Sequence, residues 1–136
     1  MRALHTAAVA ACALLLGGAG CAPAASSAGA ADDLYPEGAT PPTVRVNNNN
    51  WATVNVFAVR GASRFRLGMV SSMASAVFRI PGTVMGGQGR VELVADPVGS
   101  TRTFTAPVVY VHAGDQVRFD VQNHLPISTV SVFRMQ

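Results

Sequence analysis

A period-two alternation of apolar and polar residues constrains the fold of this chain more than any other feature. It is clearest where Val117, Phe119 and Val121 alternate with Arg118 and Asp120. This pattern places apolar side chains on one face of a strand and polar side chains on the other. From residue 43 onward, no segment repeats cleanly with the helical period of about 3.6 residues. We therefore predict that this region is all β.

Clusters of Gly, Pro, Asn and Asp divide the same region into short segments of apolar alternation. Such clusters mark turns, so each segment between them is predicted to be a strand. About eight short strands separated by turns are typical of an antiparallel two-sheet sandwich. The predicted strands are 43–47, 53–60, 64–71, 75–80, 90–95, 101–105, 108–112, 116–123 and 128–135.

The segment 109–123 has the order strand, Gly-Asp turn, strand. Gly114 can adopt the positive φ that such a turn needs, and Asp115 can hydrogen-bond its own backbone. This segment resembles the hairpin common near the end of extracellular immunoglobulin-like domains. The resemblance implies an immunoglobulin-like antiparallel sandwich over residues 43–136. It implies no activity, since one architecture serves many functions.

The first 20 residues have the order of a secretory signal peptide. Met1 and Arg2 provide a short positive region, residues 7–16 are uncharged and apolar, and small residues follow them. The apolar run is shorter than the roughly 20 residues that a membrane-spanning helix needs. We predict that residues 1–20 are removed after export.

Residues 16–21 resemble a bacterial lipobox, in which small residues precede a cysteine that receives diacylglycerol before cleavage. Ala19 and Gly20 match that pattern, whereas Gly18 stands where it usually has Leu. The resemblance implies that Cys21 becomes the acylated first residue of a membrane-anchored lipoprotein of the cell envelope. In that class, Ala22 after the cysteine implies export to the outer membrane.

Ordinary signal peptidase cleavage after Ala24 is the alternative, and it would give a periplasmic or secreted protein. The chain has two cysteines, Cys12 and Cys21. Cys12 lies in the apolar run of the signal peptide, so neither mature product can form an internal disulfide.

Residues 21–42 are predicted to be a flexible linker. They are rich in small residues, Pro and acids, with no period. Such a composition buries too little apolar surface to offset the entropy of ordering. The predicted organisation is therefore a signal peptide (1–20), a lipid-anchored linker (21–42) and a β-sandwich (43–136).

Four consecutive asparagines precede the single tryptophan, Trp51. Asn tolerates left-handed backbone angles, so residues 47–50 are predicted to connect a hairpin, with Trp51 covering the end of the core. The competing interpretation is a recognition loop, because an exposed Trp beside amides can stack on a sugar and leave its polar edge hydrated.

Arginines cluster on three consecutive predicted strands. Arg64 and Arg66 must project from one face, and with Arg60 and with Arg79 on the neighbouring strand they predict a positive stripe on one outer sheet. A solvated, edge-protecting face is the simpler interpretation. The functional one is contact with a phosphorylated or carboxylated envelope polymer.

We find no pattern typical of an enzyme or a metal centre. The predicted domain has no Cys, which excludes a blue-copper centre. His112 and His124 stand beside turn residues without an evident acid–base partner, and Met69 and Met73 are expected to fill core gaps or lie in a turn. The glycine-rich run 82–89 joins two predicted strands, so it is expected to be a flexible loop and not a phosphate loop.

The sequence therefore predicts a non-enzymatic binding or structural module of the cell envelope, with no cofactor and no metal. Its partners are expected to be the membrane, through Cys21, and an envelope polymer or protein. A net charge of +3 is too weak to indicate nucleic acid. The alternative is a soluble periplasmic carrier of a metal or small ligand.

Overall fold

The computed structural model describes Tyr35 and residues 38–134. Most of this part is β, and two sheets pack face to face, so the predicted all-β sandwich is confirmed. One four-residue helix, α1 (Gly82–Met85), joins two strands. The strands are β1 (Thr43–Asn49), β2 (Val54–Arg60), β3 (Ser63–Val70), β4 (Ser75–Arg79), β5 (Arg90–Pro97), β6 (Phe104–Thr105), β7 (Val109–Tyr110), β8 (Gln116–Gln122) and β9 (Thr129–Phe133).

The four-stranded sheet has the order β4-β1-β8-β9, and the five-stranded sheet has the order β3-β2-β5-β6 with β7 also paired to β5. The strand pairs are antiparallel except β1 with β8, which is parallel. This pair departs from the antiparallel prediction. No hairpin joins β1 to β8, so no short turn fixes their relative direction.

The inner faces of the two sheets form the core. Val117, Phe119 and Val121 are fully buried, as their alternation predicts. The ring of Phe119 lies 6.1 Å from that of Phe104 on the opposite sheet. Most of the remaining core consists of β-branched residues, which fit a pleated surface. The other fully buried side chains are Val44, Val46, Val54, Val56, Ala58, Ile80, Val84, Val91 and Ala95.

Strands β6 and β7 lie along the same edge of β5 but are out of step by one residue. Ala95 pairs with Phe104, and Val91 pairs with Val109. Between them lies the exposed Pro107, which has no amide hydrogen to donate to β5. Both strands are therefore shorter than the predicted segments 101–105 and 108–112.

The glycine-rich run 82–89 is not the loop that was predicted. It forms α1 and then a 3-10 turn, Gly86–Gln88. Val84 on α1 is fully buried against the core. Gly89 then adopts a φ of 65°, and its carbonyl accepts a hydrogen bond from the Val111 amide at 2.8 Å.

None of the helices in the described residues is long and apolar enough to span a membrane.

The end of the predicted linker lies against the sandwich. The Tyr35 hydroxyl donates to the Ile80 carbonyl at 2.7 Å, and the Gly114 amide donates to the Thr40 carbonyl at 2.7 Å. Gly114 has a φ of 81°, and the Asp115 carboxylate accepts from the His112 amide at 2.9 Å, which confirms the predicted turn. The linker therefore joins the sandwich at the end that carries this turn.

Candidate ligand-binding surfaces

Asn48 lies in the interior at the end of β1, with 1% of its surface exposed. Its side-chain nitrogen donates to the carbonyls of Ala52 at 2.9 Å, Val70 at 3.2 Å and Ser71 at 2.9 Å. Its side-chain oxygen accepts from the Asn50 amide at 3.0 Å. One asparagine thus hydrogen-bonds backbone groups of three segments. These bonds offset the cost of removing its polar side chain from water.

Asn50 continues this network. Its side-chain nitrogen donates to the Gln122 carbonyl at 3.1 Å, and its side-chain oxygen accepts from the Ala52 amide at 2.9 Å. The loop between β1 and β2 is consequently bonded on both sides. It carries the chain from one sheet to the other, so the prediction of a hairpin at residues 47–50 was wrong. Three of the asparagines extend β1 instead.

Trp51 lies on this loop with 74% of its surface exposed. The prediction that Trp51 covers the core was therefore wrong. At this end of the sandwich, the side-chain amides of Asn48 and Asn50 occupy the interior instead. Other exposed apolar side chains lie on the adjacent loops. The Met73 amide donates to Asn50, and the Val98 amide donates to Thr53. We call this surface the Trp51 end; its exposed apolar residues are Trp51, Met73, Val98 and Ile127.

Polar groups border the apolar residues of the Trp51 end. A cavity of about 320 Å³ lies between the loops there, and Asn50, Val98, Arg102 and His124 are among the residues that line it. Met73 has a φ of 54°, which is uncommon for a residue other than Gly. Its side chain is held outward in this conformation, with 61% of its surface exposed.

Arg64 and Arg66 project from the outer face of β3, as predicted. Both are engaged with neighbours on the same sheet. The Arg64 guanidinium lies 3.9 Å from the centroid of the Phe57 ring and 3.9 Å from the Asp96 carboxylate. Arg66 donates to the Asn55 side chain at 2.8 Å. Each of the two arginines therefore has at least one partner within the fold.

Arg60 and Arg79 do not join Arg64 and Arg66 in one stripe. The Arg60 guanidinium donates to the Thr83 carbonyl at 2.7 Å, beside a cleft of about 400 Å³. Arg79 lies on β4, and β3 and β4 belong to different sheets. The predicted neighbouring position of Arg79 was therefore wrong, because residues 71–74 carry the chain across the sandwich.

The outer face of the four-stranded sheet brings together polar residues that sequence reasoning did not combine. The Ser75 hydroxyl donates to the Asn47 side chain at 2.9 Å, and Asn47 donates to the Asp120 carboxylate at 2.6 Å. The other oxygen of Asp120 accepts from Arg118 Nε at 2.8 Å. Arg45 is the register partner of Arg118 on the adjacent strand. Period-two alternation places each of these residues outward but does not show which strands are neighbours.

The histidines and methionines do not converge. His112 precedes β8 and His124 follows it, and a strand of this length spans roughly 20 Å. Met69 is 55% exposed on β3, away from the core gaps that were one expectation for it. The described residues contain no group of three His, Cys, Asp or Glu side chains that could hold a metal ion. Met135 and Cys21 lie outside the described residues.

No protein-family model matches the sequence, and no curated protein matches it. Among solved structures, the fold is similar to the NMR structure of the protein from Eubacterium rectale. The two chains are 15% identical, the match covers 75% of this chain and 97% of that one, and the TM-score is 0.44. A similarity at this level carries no argument about function.

Proposed function

We propose that this chain is a non-enzymatic binding module of the bacterial cell envelope. It is displayed on a membrane tether and contacts an envelope polymer or protein through the Trp51 end. The exposure of Trp51 on a loop held by buried Asn48 and Asn50 carries this proposal. A large aromatic side chain left in water, with apolar neighbours and a polar border, favours a role in recognition.

The fixed loop supports binding for a second reason. Ordering a flexible loop on association costs free energy, and a loop that is already hydrogen-bonded avoids most of that cost. Asn48 and Asn50 supply these bonds from within the fold. Trp51 can therefore meet a partner with little rearrangement of its backbone.

The direction of β1 fits a tethered arrangement. The linker reaches the sandwich beside the Gly114–Asp115 turn, where β1 begins, and β1 ends at Asn49, next to the Trp51 loop. Seven residues of strand span roughly 23 Å. The Trp51 end therefore faces away from the attachment point, which suits contact with a partner beyond the membrane. The lipobox resemblance at residues 16–21 supports Cys21 as the anchor and the outer membrane as its location.

The test of the Trp51 contact uses the single tryptophan as an internal probe. Adding solubilised envelope fractions to the purified protein should shift its fluorescence, because a bound partner displaces water from the only indole. Trp51→Ala should weaken retention of the partner on immobilised protein by about tenfold or more, as expected for a tryptophan at the centre of an interface.

Tyr110→Ala is the matched control, since Tyr110 is an aromatic residue on β7 that is 60% exposed and lies away from the Trp51 loop. It should leave retention within about twofold of the unmodified protein. Equal retention by the Trp51→Ala and unmodified proteins would contradict the proposed contact.

A further inference from the structure

The outer face of the four-stranded sheet carries two arginines side by side. Arg45 on β1 and Arg118 on β8 are register partners, and both are exposed. Neighbouring strands lie about 4.8 Å apart. Like charges directly opposite each other destabilise a sheet unless a counter-charge offsets them.

Only one of the two arginines has such a counter-charge. Arg118 is paired through Nε with Asp120. Arg45 makes no hydrogen bond or ion pair through its guanidinium within the described part of the chain. With Asp120 counted, the pair carries one net positive charge, and the Arg45 guanidinium is the group open to an anion.

The residues around this pair line a shallow groove on the sheet. A depression of about 480 Å³ contains both arginines. Hydrogen bonds from Ser75 to Asn47 and from Asn47 to Asp120 fix the polar side chains in place. Phe133 on β9, the register partner of Gln116, is 49% exposed at the border. The residues that line it are Arg45, Asn47, Asn49, Ser75, Gln116, Arg118 and Phe133.

We infer that this face binds an acidic glycan, a sugar polymer that carries carboxylate or phosphate groups. The anionic group lies between Arg45 and Arg118, because planar guanidinium groups match the oxygens of both anions. The amides of Asn49 and Gln116 hydrogen-bond sugar hydroxyls, and Phe133 packs against the apolar face of a sugar ring. This inference goes beyond the proposed contact at the Trp51 end, because it assigns a second surface and the ligand class of that surface.

Charge complementarity selects this occupant. A neutral glycan would leave the Arg45–Arg118 repulsion in place, whereas an anion removes it. A flat lipid surface would use the arginines but not the amides of Asn49 and Gln116 and the aromatic ring beside them. The combination of two cations, amides along the same groove and an exposed aromatic ring therefore favours an anionic sugar.

The test compares four ligands by calorimetric titration of the purified Cys21→Ser chain, which lacks acyl chains that would themselves enter vesicles: polygalacturonate for carboxylate, phosphomannan for phosphate, dextran as a neutral glycan, and vesicles containing phosphatidylglycerol. We expect binding to one or both acidic glycans, weakened by salt, and none to dextran. Binding to polygalacturonate alone or to phosphomannan alone identifies the anion. Binding to the vesicles alone, to dextran as tightly as to the acidic glycans, or to none of the four overturns the inference.

Two double variants separate this site from overall charge. Arg45→Gln with Arg118→Gln should weaken binding to the acidic glycan at least tenfold. Arg64→Gln with Arg66→Gln removes the same charge from the other sheet. Measured at the same salt concentration, it should change binding to the acidic glycan by less than about twofold. Equal losses in the two double variants would show non-specific attraction and overturn the site.

Two further variants complete the assignment. Phe133→Ala should weaken glycan binding several-fold; unchanged binding would remove the sugar contact from the inference. Trp51→Ala should leave acidic glycan binding unchanged, since the two surfaces are separate. If neither acidic glycan binds, this site alone is overturned. If Trp51→Ala and the unmodified protein retain the envelope partner equally, the proposed contact at the Trp51 end alone is overturned. Unfolding midpoints, measured for each variant, confirm that the fold is retained.

Discussion

Asn48 connects three backbone segments at the place where the two sheets close, and the position of Trp51 depends on that connection. Its amide serves carbonyls on the Trp51 loop, at the end of β3 and just beyond it. An apolar side chain of similar size would remove the Asn48 donor from all three carbonyls, of which that of Val70 is buried. At this end of the molecule, a polar residue therefore has the role that packing has elsewhere in the core.

We expect Asn48→Ala to lower the free energy of unfolding by about 2–3 kcal/mol, because the buried Val70 carbonyl and the buried Asn50 amide would lose their partner. The measurement is urea unfolding followed by far-ultraviolet circular dichroism. Asn49→Ala is the control, because Asn49 is the next residue and is exposed on the outer face. This substitution should change the free energy of unfolding by less than about 0.5 kcal/mol. Equal midpoints for the two variants would contradict the role given to Asn48.

The sequence could not predict on its own whether Trp51 is exposed. Four asparagines before a tryptophan suit a turn equally well when the indole covers the core and when it faces water. The outcome depends on tertiary bonds, such as that from Asn50 to Gln122, whose partners are 72 positions apart. Short-range patterns do not contain that information.

Whole strands were easier to predict than their neighbours. Each predicted segment overlaps an observed strand, because period-two alternation is a local property of the backbone. The pairing is not local: β3 and β4 follow each other along the chain yet belong to different sheets, and β1 pairs in parallel with β8. The Arg45–Arg118 site was therefore missed, although alternation places both residues outward.

Gly68 shows how the edges of the two sheets meet. It lies on β3 beside a register irregularity between Val56 and Phe57, and a Cβ there would overlap the ring of Phe78 on β4. The absent side chain thus makes room for an aromatic ring from the other sheet. Element packing at this corner requires glycine for its size, not for its φ.

Gly68→Ala should therefore lower the free energy of unfolding by about 1–3 kcal/mol, since the Phe78 ring must move. The readout is the denaturant midpoint. Gly87→Ala provides the comparison, because an added Cβ there meets no atom within 4 Å and its φ is not in the left-handed region. If Gly87→Ala proves as destabilising as Gly68→Ala, the close approach of Phe78 is not the cause.

For the molecule as a whole, the proposed attachment makes a mass prediction. The native protein should begin at Cys21 and carry diacylglycerol, and it should partition into detergent. Cys21→Ser should lack the diacylglycerol, because the thiol that receives it is gone. It should also fail to partition into detergent, since buried acyl chains contribute about 0.8 kcal/mol per methylene to membrane binding.

Cys12→Ser is the matched control, since this second cysteine lies in the predicted signal peptide and should leave anchoring intact. Intact mass spectrometry of protein from the native host decides between the outcomes. An unmodified amino terminus downstream of Cys21 would replace the lipoprotein proposal with that of a soluble exported protein.

The offset between β6 and β7 has a consequence for crowded molecules. An uninterrupted sheet border invites an extended segment of a neighbour to add itself by backbone hydrogen bonds. Here an incoming segment meets two short runs that differ in phase by one residue, with Pro107 between them. Copies concentrated side by side should accordingly not extend their sheets through the edge that β6 and β7 form.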